Sequence, residues 1–177
     1  QGYGDYSVHG NPVLRTPNMD KLHSESVRLT DFHVAPMCTP TRGQLLTGMD
    51  AMRNGAVAVC QGRSMIRNGV PTMADYFTES GYATGHFGKW HLSNNMIPDS
   101  PLPSDYGYDE YGAFNCAGEQ MPVHDDAKNA IAFIEKCQRA DRPFFVNLWL
   151  HEPHTPFHTV PKYRWRFREL EERDNIY

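Results

Sequence analysis

Three short stretches of this sequence hold side chains able to do chemistry. The first is APMCTPTRGQLLTG, residues 35–48, in which Pro40 and then Arg42 follow Cys38 closely. The pattern predicts a helix mouth, where free backbone N–H groups and the positive end of the helix dipole favour an anion. Pro40 fixes the turn, and Arg42 lies one helical turn beyond Cys38. Read this way, Cys38 is a nucleophile beside an anion pocket. Read the other way, it is a small apolar filler of a loop, since free cysteine is among the most buried residue types.

The second stretch, GHFGKWHL, residues 85–92, carries Lys89 and His91 on alternate positions. In an extended loop both side chains point the same way, offering a point charge for an oxyanion and a group that exchanges protons near neutral pH. A surface lysine and a structural histidine fit the same letters. The third, HEPHTPFH, residues 151–158, places His151 and His154 in a proline-stiffened loop. Such a pair suits metal ligation or proton transfer, but no third ligand at suitable spacing supports zinc. His9, His23, His33, His86, His124 and His158 have no partner in the sequence pattern.

Each stretch needs an element to position it. Thr16-Pro17 predicts a helix start, with Met19, Leu22 and His23 on one face. VRLTDFHV, residues 27–34, alternates like a half-buried strand, and the Cys38 loop follows it. TRGQLLTG predicts a short helix ended by Gly48, and VPTMADYFTESG another ended by Gly81. YATGHFGKW, residues 82–90, reads as the next strand and its exit. Residues 94–122, rich in Pro, Gly, Asp and Tyr, read as a long surface excursion. A helix follows, with Ala127, Ala130, Ile131, Ile134 and Cys137 at helical spacing. RPFFVNLWL, residues 142–150, is apolar enough for a central strand covered on both faces. Strands alternating with helices predict an α/β sheet, whose loops at the strands' carboxyl ends would gather all three stretches.

Composition narrows the class. With 177 residues, 40% of them hydrophobic and 12% aromatic, the chain holds enough apolar surface for one α/β domain. The formal charge of −4 gives no basic face for nucleic acid. No apolar run approaches the roughly 20 residues that span a bilayer, so neither nucleic acid nor membrane is an expected partner. QGYGDYSVHG has neither the basic nor the apolar region of a signal peptide, and the missing initiator methionine predicts an upstream segment. Cys38, Cys60, Cys116 and Cys137 show no CxxC pairing, leaving the redox compartment open.

Taken together, these residues resemble a known family. CTPTRGQLLTG, residues 38–48, resembles the signature of formylglycine-dependent (type I) sulfatases of the alkaline phosphatase superfamily. GYGDYSVHGNPVLRTPNMDKLHSESVRLTDFHVAP, GYATGHFGKWHL and PFFVNLWLHEPHTPF resemble further segments of that family, in the same order. Together they cover about four fifths of the chain, and the cysteine signature is specific. The resemblance implies an alkaline-phosphatase-like sandwich with a central, mostly parallel sheet flanked by helices. Residues 1–177 would form part of a single catalytic domain, without its first strand and its C-terminal portion.

The resemblance further implies that Cys38 is oxidised to formylglycine by a formylglycine-generating or sulfatase-maturating enzyme. Arg42 would hold the formylglycine hydroxyls, Lys89 would bind a sulfate oxygen and His91 would act as a base. His154 would contact the ester oxygen and protonate the leaving group, with His151 as a less secure substrate-binding neighbour. The substrate would be a sulfated small molecule or glycan, that is, an aryl or carbohydrate sulfate. A phosphonate monoester or phosphodiester hydrolase, or a non-catalytic binder of sulfated glycans, would carry related motifs. The family's calcium site uses an Asp-Asp pair that would lie just before Gln1, and an Asp-Asn pair. Asp174-Asn175 follows the charged RELEERD and is read as solvated helix rather than as a ligand. Apart from Cys38 as formylglycine, no metal ligand is therefore assigned within the chain, and these residues alone are expected to be inactive. A periplasmic, secreted or lysosomal-type compartment is implied by the family alone.

Overall fold

Ala83–Lys89, ATGHFGK, forms strand β1 at the centre of a sheet, with every residue buried. The computed structural model describes residues 2–59, 62–94, 96–116, 118–122, 125–154, 165, 168 and 169. Within it Glu110–Phe114 (β2) and Phe144–Trp149 (β3) flank β1, both parallel to it, in the order β2-β1-β3. Parallel strands need crossovers, and the helix Asp126–Arg139 (α5) carries the chain from β2 to β3. The registers Lys89↔Phe114 and Gly88↔Trp149 bring the carboxyl ends of all three strands to one edge. The α/β class expected from the sequence is the class observed.

A different layer covers each face of β1. On one, Ala83 and Phe87 pack with Ala130, Phe133 and Cys137 of α5, and with Phe144 and Val146 of β3. Sequence spacing puts Ile131 on this stripe; the structure uses Phe133 and leaves Ile131 exposed. The Phe133 ring fills the space above Gly85, where a Cβ would lie 3.0 Å from it. On the other face, Cys38–Thr47 (α2), Ala51–Asn54 (α3) and Met73–Glu79 (α4) accompany a core of Leu46, Ile66, Ala74, Trp90, Leu92, Tyr106 and Tyr108. Gly48 ends α2 at φ +65°, as the sequence predicts. Thr72 and Asp75 close a capping box at the start of α4.

His86 points into this second core. It is fully buried, neither ring nitrogen has a hydrogen-bond partner, and it meets Trp90, Tyr108 and Trp149 edge-on. Burial first, and then the positive charge of Arg42, push its pKa down to about 3, while the main chain of Lys89 and Gly88 opposes the shift. The imidazole is therefore a neutral aromatic core residue.

Three local expectations change. Residues 27–34 form no strand; Val27, Leu29, Phe32 and Val34 are all exposed. Alternation stabilises a strand only where another strand and an apolar face receive it. β2 arises inside the stretch read as a surface excursion, because pairing with β1 supplies what its short sequence lacks. The most apolar segment, β3, lies at the edge of the described sheet, with Leu148 exposed, while the modest ATGHFGK takes the centre.

Gln1–Val34 with Pro153–Tyr177 make one compact unit and Ala35–Glu152 another. The first holds Pro17–Glu25 (α1), which starts where Thr16-Pro17 predicts. There the Thr16 hydroxyl donates to Asp20 at 3.0 Å and accepts from the Ser7 amide at 2.9 Å; no side-chain hydrogen bond caps the helix. His9 and His23 find a shared partner in Arg28, whose Nη1 lies 3.3 and 3.2 Å from their Nε2 atoms.

Gly88 sits at φ +103°, and a Cβ there would come within 2.1 Å of the Trp149 carbonyl oxygen. Gly88→Ala is expected to lower the stability of the complete protein by more than the roughly 1 kcal/mol of an ordinary substitution. An unchanged melting temperature would contradict so close an approach. His86 supplies a pH test. Between pH 6.5 and about 3 the unfolded chain binds a proton there that the folded chain does not, so stability falls as pH drops through that window. His86→Phe should flatten this part of the stability profile in melting curves; an identical slope would mean that the ring is solvated.

Candidate active site

Met37 enters in extended conformation, and α2 begins at Cys38 itself, three residues earlier than TRGQLLTG suggests. The thiol therefore stands in the first turn of a ten-residue helix. Cys38 Sγ lies 3.0 Å from Nδ1 of His91. Next to it, the buried Thr39 donates its hydroxyl to the His91 carbonyl oxygen at 2.7 Å. The Thr41 hydroxyl contacts the carbonyl oxygens of Ala35 and Met37 at 2.9 and 2.8 Å, closing the loop that leads into the helix. Residue 91 is thus tied to the helix entrance by both its side chain and its main chain.

The exit from β1 differs from the extended loop expected for Lys89 and His91. The Trp90 and His91 amides continue the ladder, donating to Phe114 and Asn115 carbonyl oxygens at 2.9 Å each. His91 then adopts φ +56°. A left-handed backbone costs a residue other than glycine about 1–3 kcal/mol and persists where its surroundings over-determine it. Here those surroundings include the buried Trp90, the ladder and Thr39. The turn carries the imidazole to Cys38, so the two residues meet by a route that alternation does not describe.

Two cations share this corner. Arg42 Nη1 donates to the Lys89 carbonyl oxygen at 3.1 Å, and the guanidinium carbon lies 4.4 Å from the centre of the Trp149 ring. Its Nε is buried without a hydrogen bond. Burial lowers the Arg42 pKa to about 10, and Cys38 opposes that shift; the group stays charged at neutral pH. Lys89 is only 2% exposed. Burial pulls its pKa below the usual lysine range, Cys38 raises it and Arg42 lowers it further. Positive charge, low hydration and a helix entrance together favour an anion beside residue 38.

His151 follows β3 at the same sheet edge, half-buried, with its ring edge-on to Phe114 at 5.4 Å. His154 belongs to the other unit, where it is exposed. The structure therefore brings together Cys38, Arg42, Lys89 and His91, sets His151 at their sheet edge, and gives no geometry between them and His154. His124, His158, Cys60 and Asp174-Asn175 lie outside the described residues, among which Cys38, Cys116 and Cys137 are free thiols. Among those residues no group of three or more His, Cys, Asp or Glu side chains is placed to hold a metal. A calcium ion therefore has no fitting ligand set there, and no chemical step is drawn through one. Thr39 and Trp149 escape a reading of the sequence, since one looks like helix-start filler and the other like strand core. For Trp149 the only cue is an aromatic residue next to a strand exit.

A family model described as Sulfatase matches residues 1–175. The chain is similar to arylsulfatase D of Homo sapiens, with 39% identity over 62% of this chain and 21% of that protein. It is also similar to N-acetylgalactosamine-6-sulfatase of Canis lupus familiaris, with 28% identity over 88% of this chain and 38% of that protein. The chain thus spans well under half the length of these relatives. Among solved structures, Ps i-CgsB in complex with k-i-k-neocarrahexaose superposes with a TM-score of 0.82 at 22% identity, covering 98% of this chain and 47% of that one.

Lys89→Met tests the electrostatic account. Removing a buried, poorly compensated charge should leave stability unchanged or raise it, while weakening inorganic sulfate binding to the complete protein by roughly tenfold or more. Thermal melts and calorimetric titration read the two effects. Lower stability with unaltered sulfate affinity would mean that Lys89 is structural.

Proposed function

The chain belongs to the sulfatase family, and from that premise we propose that the complete protein hydrolyses an aryl or carbohydrate sulfate ester through a formylglycine made from Cys38. The observation that carries the reading is the meeting of His91, Arg42 and Lys89 at residue 38, in the first turn of a helix. The names of the relatives, an arylsulfatase and an N-acetylgalactosamine-6-sulfatase, support a sulfate ester and leave both alcohol classes in play.

In the proposed cycle Cys38, oxidised by a maturation enzyme, carries a hydrated aldehyde where Sγ now lies. One hydroxyl loses its proton to water as its oxygen attacks sulfur, the S–O bond to the alcohol breaks, and the alcohol oxygen takes a proton, the part assigned to His154. The second hydroxyl then loses its proton to His91, the aldehyde C=O reforms, and the C–O bond to sulfate breaks with its electrons leaving on sulfate. One difficult displacement becomes two easier ones. Arg42 holds the hydroxyls of residue 38, Lys89 takes a sulfate oxygen, and His151 lies beside the bound ester. We assign residues 1–177 to a single catalytic domain whose calcium ligands and remaining strands come from other parts of the protein. The compartment we propose is periplasmic, secreted or lysosomal. Among the described residues no helix is long and apolar enough to cross a membrane.

The decisive experiment uses the complete protein from a host able to install formylglycine. A peptide mass spectrum over residue 38 should show the aldehyde or its hydrate, and Cys38→Ala should lower kcat by roughly 10³-fold or more. An unmodified thiol in that host would favour a binder of sulfated glycans without catalysis. A higher kcat/KM for an aryl phosphonate than for the matching aryl sulfate would assign the chemistry to phosphorus.

A further inference from the structure

Trp149 ends β3 between the aromatic core and the candidate site. Its ring stacks with Trp90, centroids 6.3 Å apart and planes 22° from parallel, and receives the edge of His86 at 5.2 Å. The Arg42 guanidinium lies over the same ring at 4.4 Å. Arginine has many rotamers to lose, so a catalytic guanidinium must be held by something. The hydrogen bond to the Lys89 carbonyl oxygen fixes one nitrogen, while Nε is buried without a hydrogen bond. A π face fixes the plane.

We propose that Trp149 is a positioning residue that holds the Arg42 guanidinium beside residue 38 through its π face, in the place a carboxylate would otherwise fill. The choice of partner has a chemical reason. A carboxylate would hold the guanidinium equally well, but it would cancel its charge and repel an incoming sulfate. An aromatic face attracts the cation through its quadrupole and leaves the net charge intact. The surrounding rings keep the indole in place, and the Gly88↔Trp149 pairing fixes its height beside Lys89. The inference rests on Arg42 serving the nucleophile, as proposed above. Because Arg42 then acts on residue 38 rather than on the substrate, loss of the π face should appear in kcat and hardly in KM.

The test uses the complete, formylglycine-bearing protein with an aryl sulfate, kcat being counted per modified site. Trp149 is replaced site-specifically by tryptophans with one to four ring fluorines, which drain the π face with little change of shape, and by Phe and Leu. We expect kcat to fall stepwise along the fluorinated series, by about tenfold overall, with KM within about twofold. Trp149→Phe should keep more activity than Trp149→Leu. A flat fluorinated series, or equal Phe and Leu variants, would overturn the proposal, and the fluorinated proteins decide the matter even if the Leu variant does not fold. A second readout is independent of turnover: the rate at which phenylglyoxal modifies Arg42, followed by peptide mass. It should rise several-fold along the same series, and an unchanged rate would also overturn the proposal. Absence of sulfate hydrolysis by the parent protein, with the Arg42 trend present, would defeat the functional reading and leave the role of Trp149 standing.

Discussion

Two positive charges brought together away from water form the constraint on which the rest of this structure depends. Arg42 and Lys89 each lose hydration, and Arg42 bears on its neighbours, lowering the pKa of both Lys89 and His86. Such an arrangement persists only if the surroundings compensate it without dissolving it. Here compensation comes from a carbonyl oxygen, an aromatic face and the residue at the helix entrance, while the His86 imidazole, which meets the same Trp149 ring, stays neutral in the core. The residual positive field is what an anion would meet at residue 38.

The scaffold supplies rigid attachment points for that field. Lys89 is the last residue of a strand buried along its whole length, and Arg42 lies on a helix whose buried side, at Gly43 and Leu46, faces the core. Parallel pairing aligns three strand ends, and the ladder continues past β1 to hold Trp90 and His91. The only unusual backbone among the four converging residues is His91, where the strand ends and the chain turns toward the thiol. Groups fixed by regular elements hold geometry more closely than groups on loops. That closeness matters for a nucleophile that must meet a reacting atom in line.

The chemistry-bearing residues were the most legible part of the sequence, because cysteine, arginine, lysine and histidine near helix and strand ends advertise themselves. Helix limits at Pro17 and Gly48 were also readable from capping and breaking residues alone. Sheet order was not. Apolarity nominated RPFFVNLWL as the central strand, yet within the described sheet the centre went to ATGHFGK, whose small residues let α5 and the aromatic core close in from both sides. β2 and the fate of residues 27–34 depend on which strands are available as neighbours, and local sequence does not carry that information. The contacts of His91 and Trp149 were equally hidden, since one depends on a backbone turn and the other on a register.

Gly88 contributes to the site by atoms it lacks. It lies between the main chain of Lys89 and the carbonyl group of Trp149, so the distance between two anchors of the candidate site is set by a missing methyl group. Positions 88 and 149 therefore share one volume, and the effect of a change at one depends on what stands at the other. In evolutionary language the two positions are epistatic, and drift at either would be tolerated only against a particular background at its neighbour.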